Sequence, residues 1–427
     1  MAQAERTVDY LLIGGGLAAA TAGAKIREHD AEGTILIVTS DPAFPYHRPP
    51  LSKEYLRAEI NAEGVYGEGG VYVQLPDWYD TQAIEVLREV TVTGLDTTAK
   101  IAQLSDGGTV HYDALLLATG GRPRQLAIPG VDLPGVQLLR SLADADAIRE
   151  QIAPGQRVVV VGSGFIGLET AASCLTQGAQ VTIVEPQARA WPSMVPEAVS
   201  HFIQDQFTQH GATLRYGWNV TGLTAGPDGK VHAAQIAPAQ EQGAPETLPC
   251  DLVIIGVGIA LNTELAQAAG LEVDPRHGIV VNERLETRVA DVFAAGDVAA
   301  FPNLLGQRMH FEHWDNAIAS AEVAAANMTD EDAVYRHVPY FFSDLFDLSL
   351  NMLGFPAAQA EVVIRGDMAT KQFTALYVQD GTLRAALMIN DDAQMDLLRD
   401  LIAGAAPVAH AQALADPQFD LASLREP

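Results

Sequence analysis

Uninterrupted runs of buried-type residues recur along the first 300 positions, and most are followed by glycine. Residues 7–13 form a short apolar strand that ends in Tyr10-Leu-Leu-Ile-Gly14-Gly15-Gly16. Residues 17–29 then read as an Ala-rich helix, and Thr34 to Val38 is the next strand. The runs at 114–120, 157–161, 181–184, 251–258 and 291–297 have the same character. A strand without polar alternation is covered on both faces, which is the mark of a parallel sheet. Three prolines make residues 44–50 an extended loop. Residues 61–76 are an irregular excursion, and residues 90–110 alternate short strands with turns. From about residue 331 short strands dominate, with a final helix near 391–403.

The pattern predicts an α/β protein with two Rossmann-like, doubly wound dinucleotide-binding domains and an α+β C-terminal domain. The run at 291–297 lacks a helix-start motif of its own, so it reads as a strand completing an earlier sheet. The expected boundaries are 1–118 with 250–330 for the first domain, 119–249 for the second, and 331–427 for the third.

Two turns carry the chemistry. Gly14, Gly16 and Ala19 match a dinucleotide fingerprint with alanine in the third place, and Gly162, Gly164 and Gly167 match it in full. Such a turn sets a pyrophosphate against the free N–H groups and partial positive charge of a helix start. Asp41 is the expected ribose-hydroxyl partner of the first turn, although Ser40 lies closer to the strand end. Glu185 plays that part for the second. Its carboxylate accepts ribose hydroxyls and repels a 2′-phosphate, which favours NADH. Arg189, four residues on, works against that preference. Two dinucleotides in one chain imply electron transfer between them.

Other positions stay open on the residues alone. Lys53 ends the proline-rich loop and Glu169 lies in the first turns of the second unit's helix. The two meet if the dinucleotides meet. Gly296-Asp297 follows a buried strand, where the carboxylate either accepts ribityl hydroxyls or caps a turn. Trp314 either packs in the core or touches a cofactor. His310 and His313 have HxxH spacing that does not suit a zinc pair, so no metal is expected.

The charge of −28 repels nucleic-acid phosphates and anionic lipid, so neither nucleic acid nor membrane is an expected partner. No apolar run reaches the roughly 18 residues of a membrane span. The N-terminal residues lack a signal-peptide core, and a cytoplasmic location is expected. Two cysteines, Cys174 and Cys250, exclude a disulfide framework.

The chain resembles the FAD-dependent pyridine-nucleotide oxidoreductases of the ferredoxin and rubredoxin reductase type, a glutathione-reductase-like group. Apoptosis-inducing factor and monodehydroascorbate reductase share the pattern. Its marks are Gly14-Gly-Gly-Leu-Ala, Pro45-Tyr-His-Arg-Pro-Pro-Leu-Ser-Lys53, Ala118-Thr-Gly120, Gly162-Ser-Gly-Phe-Ile-Gly-Leu-Glu169, Ala294-Ala-Gly-Asp297 and Glu312-His-Trp-Asp315. The resemblance implies FAD on the first unit and NADH (NAD+) on the second. It implies that Lys53 and Glu169 form an ion pair beside the flavin. It also implies that Arg48, Thr119, Gly120, Gly296, Asp297 and Trp314 belong to the FAD site.

Neither cysteine lies near residues 40–55, where a redox thiol of the wider superfamily would sit. The expected activity is therefore that of a ferredoxin–NAD+ reductase, passing electrons from NADH through flavin to a ferredoxin or rubredoxin. The alternatives are a reductase like monodehydroascorbate reductase or apoptosis-inducing factor, or a slowly turning redox sensor. His310 and Phe342 stand where the monodehydroascorbate enzymes carry arginine and tyrosine. A monomer or weak homodimer is expected.

Overall fold

The computed structural model describes residues 5–240, 243–303, 306–356 and 359–425. The chain divides into two compact units. One comprises residues 1–48, 61–122 and 260–339, and the other residues 49–60, 123–259 and 340–427.

The first unit is built on a seven-stranded sheet. Its order is Ile84–Leu87, Ile35–Val38, Glu5–Ile13, Thr109–Leu117, Ile101–Leu104, Val92–Asp96, with Val292–Ala294 also pairing with Thr109–Leu117. The central pairs are parallel. The two strands at 92–104 fold back antiparallel. Ile35–Val38 is buried at every position, as its unbroken apolar run requires. Helix Leu17–His29 packs on helix Trp314–Met328. Each buries a run of alanines, and small side chains let helix backbones approach closely.

The second unit contains a five-stranded parallel sheet ordered Thr213–Tyr216, Gln180–Glu185, Arg157–Val161, Leu252–Ile255, Val136–Leu138. A three-stranded antiparallel sheet spans Trp218–Pro249. The C-terminal part is a five-stranded antiparallel sheet ordered Tyr340–Leu345, Leu348–Gly354, Thr382–Ile389, Gln372–Gln379, Glu361–Asp367. Helix Met395–Ala403 packs against it.

Four stretches fall in a different unit from the one expected, the first being residues 119–122, which stay with the first unit. Leu252–Ile255, expected in the first domain, pairs with Arg157–Val161 in the second sheet. A fully buried run reads the same whichever sheet it joins, so periodicity carries no information on that choice. Residues 49–60, also expected in the first domain, belong to the second unit. They are held there by Ser173 Oγ on the Ser52 carbonyl (2.7 Å), Gln177 on the Leu56 carbonyl (3.1 Å), and Tyr55 hydroxyl on Asp146 (2.6 Å). Finally, residues 331–339 stay with the first unit, where the Tyr335 N–H donates to the Glu283 carbonyl.

No helix among the described residues is long and apolar enough to cross a membrane.

Candidate functional site

In the first unit a cavity of about 600 Å³ opens above the carboxyl ends of the parallel strands. That is the end at which open α/β sheets bind ligands. Its walls include Gly14, Gly16, Asp41, Arg48, Thr119 and Gly120, all chosen from the sequence. Gly14 has φ +131°, and a Cβ there would sit 2.2 Å from the Ala118 carbonyl oxygen. A Cβ on Gly16 would meet only the Arg48 guanidinium, at 3.3 Å. Gly16 caps helix Leu17–His29 with no side-chain bond, so the first N–H groups face the cavity unclaimed by a cap. Ala19 is fully buried behind the turn. Glycine backbone, free amides and a nearby guanidinium together suit a pyrophosphate.

Asp41 accepts from the Ala43 N–H and the Tyr46 hydroxyl, both at 2.9 Å. These bonds fix its carboxylate at the rim. Thr119 and Gly120 are locked to Asn262: the Thr119 hydroxyl donates to its carbonyl (2.7 Å), and Asn262 donates back through Nδ2 and its N–H (both 2.9 Å). Asn262, a cavity residue, has no motif to announce it. Gly296 takes φ +75°, with its N–H held by Ser320 Oγ at 2.9 Å, and Asp297 follows in the same short 3-10 turn.

Trp314 opens its helix and donates its indole N–H to His47 Nδ1 at 2.7 Å. His47 is therefore neutral, and burial pushes its pKa down to about 4. His313 is likewise pushed down to about 4 by burial. His310 faces His277 (Nδ1 to Nδ1, 3.4 Å) and Glu312 (3.3 Å). Among the described residues no cluster of three or more His, Cys, Asp or Glu side chains is placed to hold a metal.

In the second unit the three glycines of the fingerprint have three separate causes. Gly162 has φ +98°, and a Cβ would lie 2.4 Å from the Gly256 carbonyl oxygen. A Cβ on Gly167 would lie 2.2 Å from the Gly162 carbonyl oxygen, where the helix meets the turn. A Cβ on Gly164 would meet nothing closer than 3.9 Å. Only Gly164 is free of a packing reason, which is what a backbone that must touch a ligand looks like. No side chain caps this helix either. Glu185 is buried at the strand end and accepts from the Ser163 N–H (2.8 Å) and hydroxyl (3.1 Å) and from the Gln187 N–H (2.9 Å). Arg189 is committed elsewhere, to the Val195 and Pro192 carbonyls and Ser200 Oγ.

The second unit also brings Lys53 and Glu169 together. Lys53 Nζ lies 2.8 Å from Glu169 Oε2, with both side chains only 4% exposed. Ser52 and Ser343, which sequence reasoning missed, donate to the same carboxylate. Cys174 and Cys250 are fully buried, and burial pushes both thiols up to about 12.

Comparison with known proteins agrees with this geometry. A family model described as pyridine nucleotide-disulphide oxidoreductase matches residues 8–321, and a reductase C-terminal model matches residues 340–425. The chain is 33% identical to a probable ferredoxin reductase of Castellaniella defragrans, covering 97% of this chain and 98% of that one. It is 34% identical to putidaredoxin reductase of Pseudomonas putida, covering 94% and 93%. Among solved structures, the covalent putidaredoxin reductase–putidaredoxin complex matches with TM-score 0.90 at 32% identity, covering 98% of each chain. Two glycine cradles, the sheets that present them and a family match over most of the length lead to one conclusion: the chain belongs to the pyridine nucleotide-disulphide oxidoreductase family.

Proposed function

We propose that this protein is an FAD-dependent reductase that takes electrons from NADH and hands them one at a time to a ferredoxin-type iron–sulfur protein. The observation that carries the reading is two dinucleotide cradles in a chain whose only two thiols are sealed in its cores. A thiol with a pKa of about 12 is not a nucleophile at neutral pH, so electrons leave without a cysteine relay. The relatives' names support the acceptor class, since they include reductases of ferredoxin, putidaredoxin and rhodocoxin.

In this reading the first unit's cavity holds FAD and the second unit's turn holds NADH. FAD supplies the conversion of a two-electron donation into single-electron steps. The residues of the chain bind and orient. Gly14, Gly16 and Arg48 receive the FAD pyrophosphate, Asp41 its adenosine ribose, Asp297 its ribityl hydroxyls, and Thr119, Gly120, Gly296 and Trp314 complete the site. Gly162, Gly164 and Gly167 receive the NADH pyrophosphate, and Glu185 its ribose. Lys53, held by Glu169, is the residue that would supply a positive charge to the flavin and favour its reduced ring. The reading extends to a cytoplasmic monomer or weak homodimer, which fractionation and light scattering test.

Purified protein is expected to be yellow, with one noncovalent FAD per chain, and to turn over ferredoxin with NADH. The test is a panel of ferredoxins, rubredoxin, monodehydroascorbate, quinones and oxygen. A protein that cannot be loaded with FAD, or that reduces monodehydroascorbate efficiently and no iron–sulfur protein, overturns the reading.

A further inference from the structure

The Glu169 carboxylate is crowded with donors. Ser343 Oγ donates to Oε1 at 2.7 Å. Ser52 Oγ donates to Oε2 at 2.5 Å, and Lys53 Nζ lies 2.8 Å from that same oxygen. All four residues are buried, with Ser343 fully enclosed. Donors and acceptor come from three stretches far apart in sequence: Ser52 and Lys53 from the loop at 49–53, the acceptor Glu169 from helix Phe165–Thr176, and Ser343 from the first strand of the C-terminal sheet, Tyr340–Leu345. Ser52 is itself fixed, because Ser173 Oγ donates to its carbonyl at 2.7 Å.

An ordinary ion pair in this position would be self-defeating. A bare carboxylate 2.8 Å from Lys53 cancels most of the field that the ammonium projects. The strand brings a second carboxylate as well. Burial holds the Asp344 carboxyl above its usual range, with Lys53 opposing that shift and Glu169 adding to it. One lysine thus sits among two acidic groups, and Arg57, which acts on Asp344 in the same sense as Lys53, is itself paired with Glu59 at 2.7 Å. Two hydroxyl donors on Glu169 draw its negative charge away from Lys53, since hydrogen bonds to a charged group are the strong ones.

We propose that Ser343, with Ser52, is a positioning residue for the Lys53 ammonium: the two hydroxyls share the charge of Glu169, so that Lys53 keeps a net positive field while staying anchored. This rests on the reading that Lys53 faces the flavin. It also gives the C-terminal strand, through Ser343, a part in setting the flavin's electron affinity.

The test is the midpoint potential of bound FAD, measured by dye titration in the wild type and in Ser343→Ala, Ser343→Thr and Lys53→Met, with FAD content and melting temperature recorded for each. Ser343→Ala is expected to lower the reduced-to-oxidised ratio at fixed potential about tenfold, or ~30 mV for a two-electron couple. Ser343→Thr retains the hydroxyl and is expected to match the wild type. Lys53→Met is expected to shift further in the same direction. An unchanged potential in Ser343→Ala beside a shifted Lys53→Met overturns the role of Ser343 and leaves the flavin-facing lysine standing. An unchanged potential in Lys53→Met overturns both.

Discussion

Glu185→Gln is the sharpest test of cofactor choice. Glu185 is buried at the end of its strand, and its two oxygens are fixed by the Ser163 N–H and hydroxyl and by the Gln187 N–H. It cannot swing away from an incoming phosphate without abandoning three hydrogen bonds. A 2′-phosphate placed about 4 Å from this carboxylate, at an effective dielectric of about 20, meets a repulsion of about 4 kcal/mol per unit charge. Screening by salt lowers the net discrimination to about 3 kcal/mol, roughly a hundredfold in kcat/KM. The substitution removes the charge and keeps the size, at the loss of one hydrogen bond, because its NH2 must face either the Ser163 or the Gln187 N–H. Arg189, whose guanidinium is already bound to two carbonyls and a serine hydroxyl, does not contribute. Steady-state kcat/KM for NADH and NADPH in both proteins is the assay. NADPH efficiency is expected to rise about a hundredfold, with NADH falling less than tenfold. An unchanged NADH-to-NADPH ratio refutes the electrostatic argument, and a wild type that prefers NADPH refutes the assignment of Glu185.

The glycines of the second turn separate folding from binding. Gly162→Ala is expected to cost about 2 kcal/mol or more through its positive φ and its contact with Gly256, whereas Gly164→Ala is expected to melt like the wild type yet bind NADH at least tenfold more weakly. Melting curves and NADH titration distinguish the two. For His47 the folded pKa of about 4 lies below the ordinary 6.5, so the unfolded chain takes up the proton first as pH falls. Stability is therefore lost between pH 6.5 and 4, by about 3 kcal/mol from this group, and His47→Gln should flatten that slope in denaturant titrations. The double variant Cys174→Ala and Cys250→Ala is expected to keep FAD, flavin reduction and ferredoxin turnover, because at pH 7 about one thiol in 10⁵ is ionised. Loss of turnover with FAD retained would reveal a thiol step.

The glycine turns and their strands are legible in the sequence because their causes are local. A buried run followed by glycine and a helix pattern fixes both the strand and the free amides beyond it. Sheet membership is not local. Leu252–Ile255 and Val292–Ala294 are both short buried strands that lead into glycine-bearing turns, and one joins the second sheet while the other joins the first. For Lys53 and Glu169 the residues alone suggest a meeting only if the two dinucleotides meet, and the ion pair itself comes from the resemblance. Ser52 and Ser343 were invisible for a related reason. A serine signals a buried hydroxyl donor only once its acceptor is known, and that acceptor lies on another segment. Asn262 escaped because its work is to bind backbone at the end of a distant strand.

The parallel pairing of Val292–Ala294 with Leu115–Leu117 has a consequence for synthesis in the cell. The ribosome releases residues 115–117 long before it makes their neighbour. At about 5–20 residues per second the gap is on the order of ten to thirty seconds. Through that interval one flank of the fully buried stretch Leu115–Leu117 has open main-chain hydrogen-bonding groups. The whole of the second parallel sheet is translated meanwhile. A nascent chain that stalls between residues 120 and 290 therefore presents a sticky edge, and this window is where a chaperone gains most by binding.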